Sequence, residues 1–282
     1  MKRILLPTDF SKNAENAINY ALQLYHKEVC TFILLHAYRV DGYDEESKLT
    51  PIPGEEALLE GQKKVETRLK KKVEKLKESP ENCHHNFEFE AANKSLTTAV
   101  KEQLRKKNIE LIIIGTQGHT GNTEVVYGSN TINLMEEIRR CPLLAVPAHV
   151  KFHALKEIVL ANSFKAELTP KDLKFLIRLS LKFWAPIRIL HICEEGGLNE
   201  KQKQNRRALR NHLKEEKVAH SFHTLEHLSI PLGVYSFTES RESEMVAFIN
   251  KKHSFLENLL FDPLYKNLAH YSKVPVLVLH QP

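Results

Sequence analysis

The chain has only four cysteines in 282 residues, Cys30, Cys83, Cys141 and Cys193, widely spaced and without a CxxC pair. That scarcity excludes a disulfide framework and a zinc knuckle, and it fits a reducing, cytoplasmic setting. No apolar run approaches the roughly 20 residues that span a bilayer, so membrane insertion is not expected. The stretch after Met1 is only Ile4-Leu5-Leu6 before Pro7-Thr8-Asp9, too short for a secretion signal. With 42% hydrophobic and 27% charged residues, the composition leaves no room for a collagen-like, low-complexity or disordered reading. A chain of this length is most simply two folded domains. Acid is scarce in the second half: residues 1–150 carry 21 Lys and Arg against 21 Asp and Glu, whereas 151–282 carry 20 against 14. Much of the excess lies in Lys201, Lys203, Arg206, Arg207, Arg210, Lys214 and Lys217. A solvated helix face explains such a run, and the lack of interleaved aromatics or a recognition motif argues against nucleic acid as a partner.

What is present is an alternation of strands and helices. Lys2 to Phe10 reads as a strand, with Ser11 capping a helix whose apolar face is Ala14, Ala17, Ile18, Ala21 and Leu22. Thr31 to Val40 reads as a second strand around Phe32-Ile33-Leu34-Leu35, the continuous run of a sheet covered on both faces. Asp41 to Gly54 is a loop and Glu55 to Ser79 a charged helix. Strands at Phe87 to Ala91, Leu111 to Ile114 and Pro142 to Val146 alternate with helices at Ser95 to Lys107 and Ser129 to Arg140. The pattern predicts a doubly wound parallel α/β domain over 1–150. A second one over 151–282 has strands at Glu157 to Leu160, Ile187 to Ile192, Phe222 to Leu225, Met245 to Ile249 and Val274 to Leu279. Its helices are Lys171 to Trp184 and Lys201 to Lys217, with Phe175, Leu179, Phe183 and Trp184 expected in the core. The halves repeat: Lys2-Arg3-Ile4-Leu5-Leu6 matches Lys156-Glu157-Ile158-Val159-Leu160 at an offset of 154, and Leu35-His36 matches Leu190-His191 at 155. Pro142 to Val146 matches Pro275 to Leu279 at 133, so the second copy has lost about twenty residues between its second and fourth strands.

The fourth strand runs into Gly115-Thr116-Gln117-Gly118, and after nine intervening residues Gly128-Ser129 opens a helix. Glycines allow positive φ and close backbone approach, and a helix start supplies free N–H groups, so an anion site is predicted there. In a sheet ordered 3-2-1-4-5 the crevice opens between strands one and four, which places Asp9 beside the glycines. A ligand-free loop and a helix-capping Asp9 are the plainer alternatives. His119 reads as either a phosphate contact or an exposed loop residue. His220, His223, Glu226 and His227 do not make a metal site, because His220 and His223 face opposite sides of a strand. Cys83-His84-His85 is expected at the surface.

Pro7-Thr8-Asp9-Phe10-Ser11, the Leu35-His36 strand, the G-x2-G-x9-G-S pattern and Cys141-Pro142-Leu143-Leu144-Ala145-Val146-Pro147 resemble the universal stress protein family in its tandem form. The resemblance implies an adenine nucleotide such as ATP in the first domain and a role in stress response. It implies that Pro7 and Asp9 border the nucleoside and that backbone near Ala37 borders adenine. It also implies that Gly115, Gly118, His119, Gly128 and Ser129 hold ribose and phosphates. In the second half the counterparts of Pro7 and Asp9 are Ala161 and Ser163, and the glycine positions fall on Ile249 or Asn250, Lys252, and Phe261 or Asp262. That copy is therefore expected to have filled the space in, leaving one nucleotide site per chain. No lysine follows the loop glycines as in a P-loop NTPase, and Glu124 adds negative charge. Neutralising a triphosphate falls to backbone amides, the helix dipole and Mg²⁺, and turnover is expected to be slow or absent, with no catalytic residue. A non-binding interaction scaffold of the same fold, with an unknown protein partner, is the other reading. The two fifth strands are expected to pair within the chain as a pseudo-dimer, with further homodimerisation left open.

Overall fold

The computed structural model describes residues 1–39, 55–116, 127–193, 196–250 and 274–280. In the first half, strands β1 (Lys2–Pro7), β2 (Cys30–Tyr38), β3 (Asn86–Asn93), β4 (Leu111–Gly115) and β5 (Leu143–Val146) alternate with four helices, α1 (Lys12–Leu24), α2 (Glu55–Lys77), α3 (Leu96–Lys106) and α4 (Ser129–Glu137). The second half contributes β6 (Ile158–Ala161), α5 (Pro170–Phe183), β7 (Ile187–Cys193), α6 (Glu200–Glu215), β8 (His220–Glu226), α7 (Ile230–Arg241), β9 (Met245–Asn250) and β10 (Val276–His280). All ten strands of the described residues form one sheet in the order β3-β2-β1-β4-β5-β10-β9-β6-β7-β8, so the predicted 3-2-1-4-5 order stands in the first half and is mirrored in the second.

Every neighbouring pair is parallel except β5 with β10, where Val276, Leu277 and Val278 run antiparallel to Ala145, Leu144 and Leu143. The apolar runs explain the layers. On β1, Ile4 and Leu6 point into one apolar layer and Leu5 into the other, all three fully buried. Helices α1, α2, α5 and α6 cover the first face, and α3, α4 and α7 cover the second. Burying each such side chain is worth about 1.5–3 kcal/mol, which is why a strand needs apolar residues at successive positions only when both faces are covered.

The internal repeat extends to atomic detail at the turn leaving the first strand of each half. The Thr8 N–H donates to the Leu35 carbonyl, and the Asn162 N–H donates to the Leu190 carbonyl. The Phe10 N–H donates to Thr8 Oγ1 (3.1 Å) and the Phe164 N–H to Asn162 Oδ1 (2.9 Å). Both phenylalanines take a left-handed backbone, φ 61° and 55°. A histidine then ties each turn down: His36 Nδ1 donates to the Thr8 carbonyl (2.6 Å), and His191 Nδ1 to the Asn162 carbonyl (3.1 Å). The shortening of the second half lies between its second and third strands. Those strands start at 30 and 86 in the first half but at 187 and 220 in the second.

Three sequence expectations need correction. Trp184 is 89% exposed at a left-handed helix C-cap, φ 55°, whereas Phe175 and Leu179 are buried; the helical spacing that pointed to a core ended one residue too late. His85 is not at the surface: it is 7% exposed and its ring packs against Phe32, with centroids 4.9 Å apart. Helix α7 has no counterpart in the sequence reading. Pro231 falls in the first turn, where proline is tolerated, and a Cβ on Gly233 would stand 2.8 Å from Ile192 Cδ1, so glycine lets the helix lie against β7.

Burial, with a smaller contribution from His84, lowers the His85 imidazole to about 4 from its ordinary 6.5, so it is neutral at pH 7. The unfolded chain takes up the proton first, and stability is therefore lost as pH falls from 6.5 towards 4, by at most about 3 kcal/mol. His85→Leu is expected to flatten this slope, which urea midpoints at neutral and mildly acid pH will measure. An unchanged slope removes His85 as its source.

Candidate functional site

At the carboxyl ends of β1 and β4 the structure opens a cleft of about 150 Å³. It brings together six of the residues singled out from sequence, Pro7, Asp9, Ala37, Gly115, Gly128 and Ser129. Gly118 and His119 lie outside the described residues. Thr8, Ala14, Leu96, Ile114, Asn130 and Thr131 also line it and were not singled out. Their shared signal is position: each follows or ends a strand, or starts a helix, on the side of the sheet where open α/β folds bind ligands.

Asp9 stands where β1 turns into α1. Its Oδ1 accepts the Ser11 N–H (2.9 Å), and Ser11 Oγ in turn accepts the Ala14 N–H (3.1 Å). Ser11 is thus the helix cap, and Asp9 braces the cap through one oxygen while bordering the cleft. The capping alternative for Asp9 is therefore met by its neighbour. Behind it, the Phe10 ring lies between the His36 ring, 4.8 Å away, and the Arg68 guanidinium, 4.0 Å away.

The opposite wall is the start of α4. The Gly128 N–H donates to the Thr116 carbonyl (2.7 Å), and Thr131 Oγ1 donates to the Gly115 carbonyl (2.9 Å). Gly128 is the helix cap and has no side chain to offer, so the first N–H groups of α4 are left for another acceptor, with the Ser129 hydroxyl beside them.

Of the two reasons read in sequence for the glycines, positive φ does not apply to Gly115 or Gly128, and close approach at Gly115 is to a neighbouring side chain. Neither Gly115 nor Gly128 takes a positive φ; Gly128 is extended at φ −69°. At Gly115 the demand is close approach, since a Cβ would stand 2.8 Å from the Asn13 side-chain carbon, and glycine lets α1 pack against the end of β4.

In the second half the register settles which residue occupies the Gly115 position. Gly115 pairs with Val146, and Ile249 pairs with Leu279, the counterpart of Val146. An isoleucine thus stands where the first half has its glycine. The half is not closed throughout, however: a larger open cleft of about 900 Å³ lies over the ends of β6, β7 and β8, bordered by Ser163, Lys165, His191, Gln202 and Ser229. The remaining counterparts, Lys252, Phe261 and Asp262, lie outside the described residues. His220 sits edge-on to Phe222, and His223 packs against Phe237 of α7, so the two histidines occupy opposite faces of β8. No described helix is long and apolar enough to cross a membrane.

A doubly wound α/β sheet with a glycine-bordered cleft at the point where the strand order reverses places the chain among the Rossmann-like α/β proteins. Within that class, the chain belongs to the universal stress protein family, whose family model matches residues 1–147. It is 28% identical over 153 residues to a universal stress protein of Methanocaldococcus jannaschii, covering 51% of this chain and 94% of that protein. Its fold is similar over nearly the whole chain to a universal stress protein of Archaeoglobus fulgidus, at a TM-score of 0.68 and 16% identity, covering 99% of this chain and 96% of that one. A putative universal stress protein of Pseudomonas aeruginosa is similar at a TM-score of 0.56 and 12% identity, covering 99% and 93%.

Proposed function

We propose that the chain binds ATP or another adenine nucleotide in the cleft of its first half and acts as a cytoplasmic stress-response switch set by occupancy of that cleft. The observation that carries this reading is the pairing of opposite chemistries across one small space. A carboxylate stands at the β1 end, and a helix start without a side-chain cap stands at the β4 end. Asp9 has one oxygen engaged by Ser11, leaving its other to accept from a ribose hydroxyl or base N–H. The α4 N–H groups and Ser129 suit an anionic phosphate. About 150 Å³ is the size of a cavity that takes one benzene-sized ring, so a base or ribose fits inside while phosphates reach towards the start of α4.

By the family resemblance, Gly118 and His119 extend the phosphate contacts, Pro7 and Ala37 border the nucleoside, and Mg²⁺ accompanies a triphosphate. Residues 1–150 form the nucleotide-binding domain and 151–282 a degenerate partner, the two standing as a fused dimer across β5 and β10. Ile249 in the Gly115 position supports one nucleotide site per chain.

Heat-releasing small molecules from the purified chain and identifying them by absorbance and mass tests this reading. Adenine nucleotide is the expected product, and calorimetric titration with ATP is expected to show one site per chain. Two equal sites would refute the asymmetry between the halves, and no binding would leave the scaffold reading. Asp9→Asn keeps the acceptor for the Ser11 N–H but removes the charge. It is expected to change stability by less than about 0.5 kcal/mol while weakening ATP roughly tenfold or more, the size of a lost charge-assisted hydrogen bond. Equal affinity with unchanged melting would show that Asp9 only braces the turn.

A further inference from the structure

A separate pocket, of about 290 Å³, lies where the two halves meet, away from both clefts. Arg139 and Arg140 border it from the segment leading into β5, Lys171 and Phe175 from α5, and Leu279 and His280 from the end of β10. We propose that this pocket binds a small organic monocarboxylate, its carboxylate held by Arg139 and His280 and its apolar body against Phe175 and Leu279.

His280 is the first reason. It is only 9% exposed, and neither ring nitrogen has a hydrogen-bond partner, whereas buried polar groups in folded proteins are almost always partnered. A ligand entering the pocket that His280 borders would supply that partner. Burial, reinforced by Arg139, lowers the imidazole to about 3, so at neutral pH the ring offers one N–H donor and carries no charge.

The charge therefore comes from the arginines. Arg139 Nη1 donates to the Asn250 carbonyl (3.4 Å), which tethers the guanidinium at the pocket while its other N–H groups remain for a second acceptor. Arg140 and Lys171 are exposed at the rim and add positive potential. A guanidinium fork matches the two oxygens of a carboxylate.

Size and polarity narrow the ligand. The volume is at the lower end of the roughly 300–1,000 Å³ typical of ligand pockets, too small for a nucleoside triphosphate. Phe175, Leu279 and Pro142 make much of the wall apolar. Asp172 also borders the pocket, its Oδ2 accepting the Thr169 N–H (2.7 Å), and its charge disfavours a dianion such as a phosphate monoester. One negative charge on an apolar body fits all three observations.

The test is a titration of the full-length, isotope-labelled chain with benzoate, followed through the His280 ring resonances, assigned by comparison with His280→Phe. Saturable shifts are expected with a dissociation constant of about 1 mM or tighter. Benzyl alcohol and inorganic phosphate are each expected to bind roughly tenfold more weakly or worse, and Arg139→Gln to cost benzoate a similar factor. The exposed Arg140→Gln, which leaves the packing alone, is expected to weaken benzoate about threefold by its charge alone. Saturating ATP should leave the benzoate shifts in place, because the first-half cleft is a different site. Absence of saturable shifts up to about 20 mM overturns the proposal, since binding that weak is not specific recognition. So does phosphate binding as tightly as benzoate, or benzoate affinity unaltered in both arginine variants.

Discussion

Gly128→Val is expected to lower ATP affinity at least about a hundredfold, a loss of roughly 2.7 kcal/mol, with the fold intact. Gly128 is extended at φ −69° and ψ 154°, a conformation valine adopts without strain, so the backbone does not resist the change. As the cap it has no side-chain hydrogen bond to lose, and the penalty to α4 is limited to about 1 kcal/mol. The new branched side chain is instead added at a residue that borders the cleft and opens α4, where the proposed phosphates sit. Parallel calorimetric titration and thermal melting separate the two effects. A variant that melts normally and binds ATP as before would place the nucleotide elsewhere.

Glu157→Gln is expected to destabilise the chain by about 3 kcal/mol, by leaving two arginines facing a neutral amide. Glu157 is 7% exposed and accepts from Arg188 Nε (2.6 Å), from Arg241 Nε and Nη2 (both 2.7 Å) and from Ser243 Oγ (2.8 Å). These bonds join β7, α7 and the approach to β9 around one carboxylate at the start of β6. Burial pushes the carboxyl up, but the hydrogen bonds from Arg241, Arg188 and Ser243 outweigh it and hold the group at about 2. Its contribution is complete above the ordinary value of 4.5 and is lost as pH falls from there through 2. The variant should therefore melt roughly 5–10 °C lower at neutral pH and show a shallower acid limb than the parent chain. Equal melting points would mean that the partly exposed arginines find water as good a partner.

The two substitutions probe parts of the chain that differed in legibility. The glycine pattern and Asp9 could be read in advance because a strand end, a glycine and a helix cap each have a local signature, and the strand order brings them together. The purpose of Gly115 could not, since it depends on Asn13 arriving from α1, a contact no local pattern encodes. Glu157 was read only as one position in a repeat, because its partners lie 31, 84 and 86 residues further along. Trp184 and His85 failed in opposite directions: helical spacing carried Trp184 into the core, and a place in the connection after Pro80 put His85 at the surface. The left-handed cap at Trp184 and the aromatic contact of His85 with Phe32 decide otherwise.

The antiparallel junction of β5 and β10 makes a single polypeptide supply both strands of the seam. Two separate subunits joined by such a seam would come apart on dilution, with their occupancy tied to how much protein a cell makes. Here the local concentration of one strand around the other is fixed by the chain that connects them. The pairing is thereby insulated from expression level.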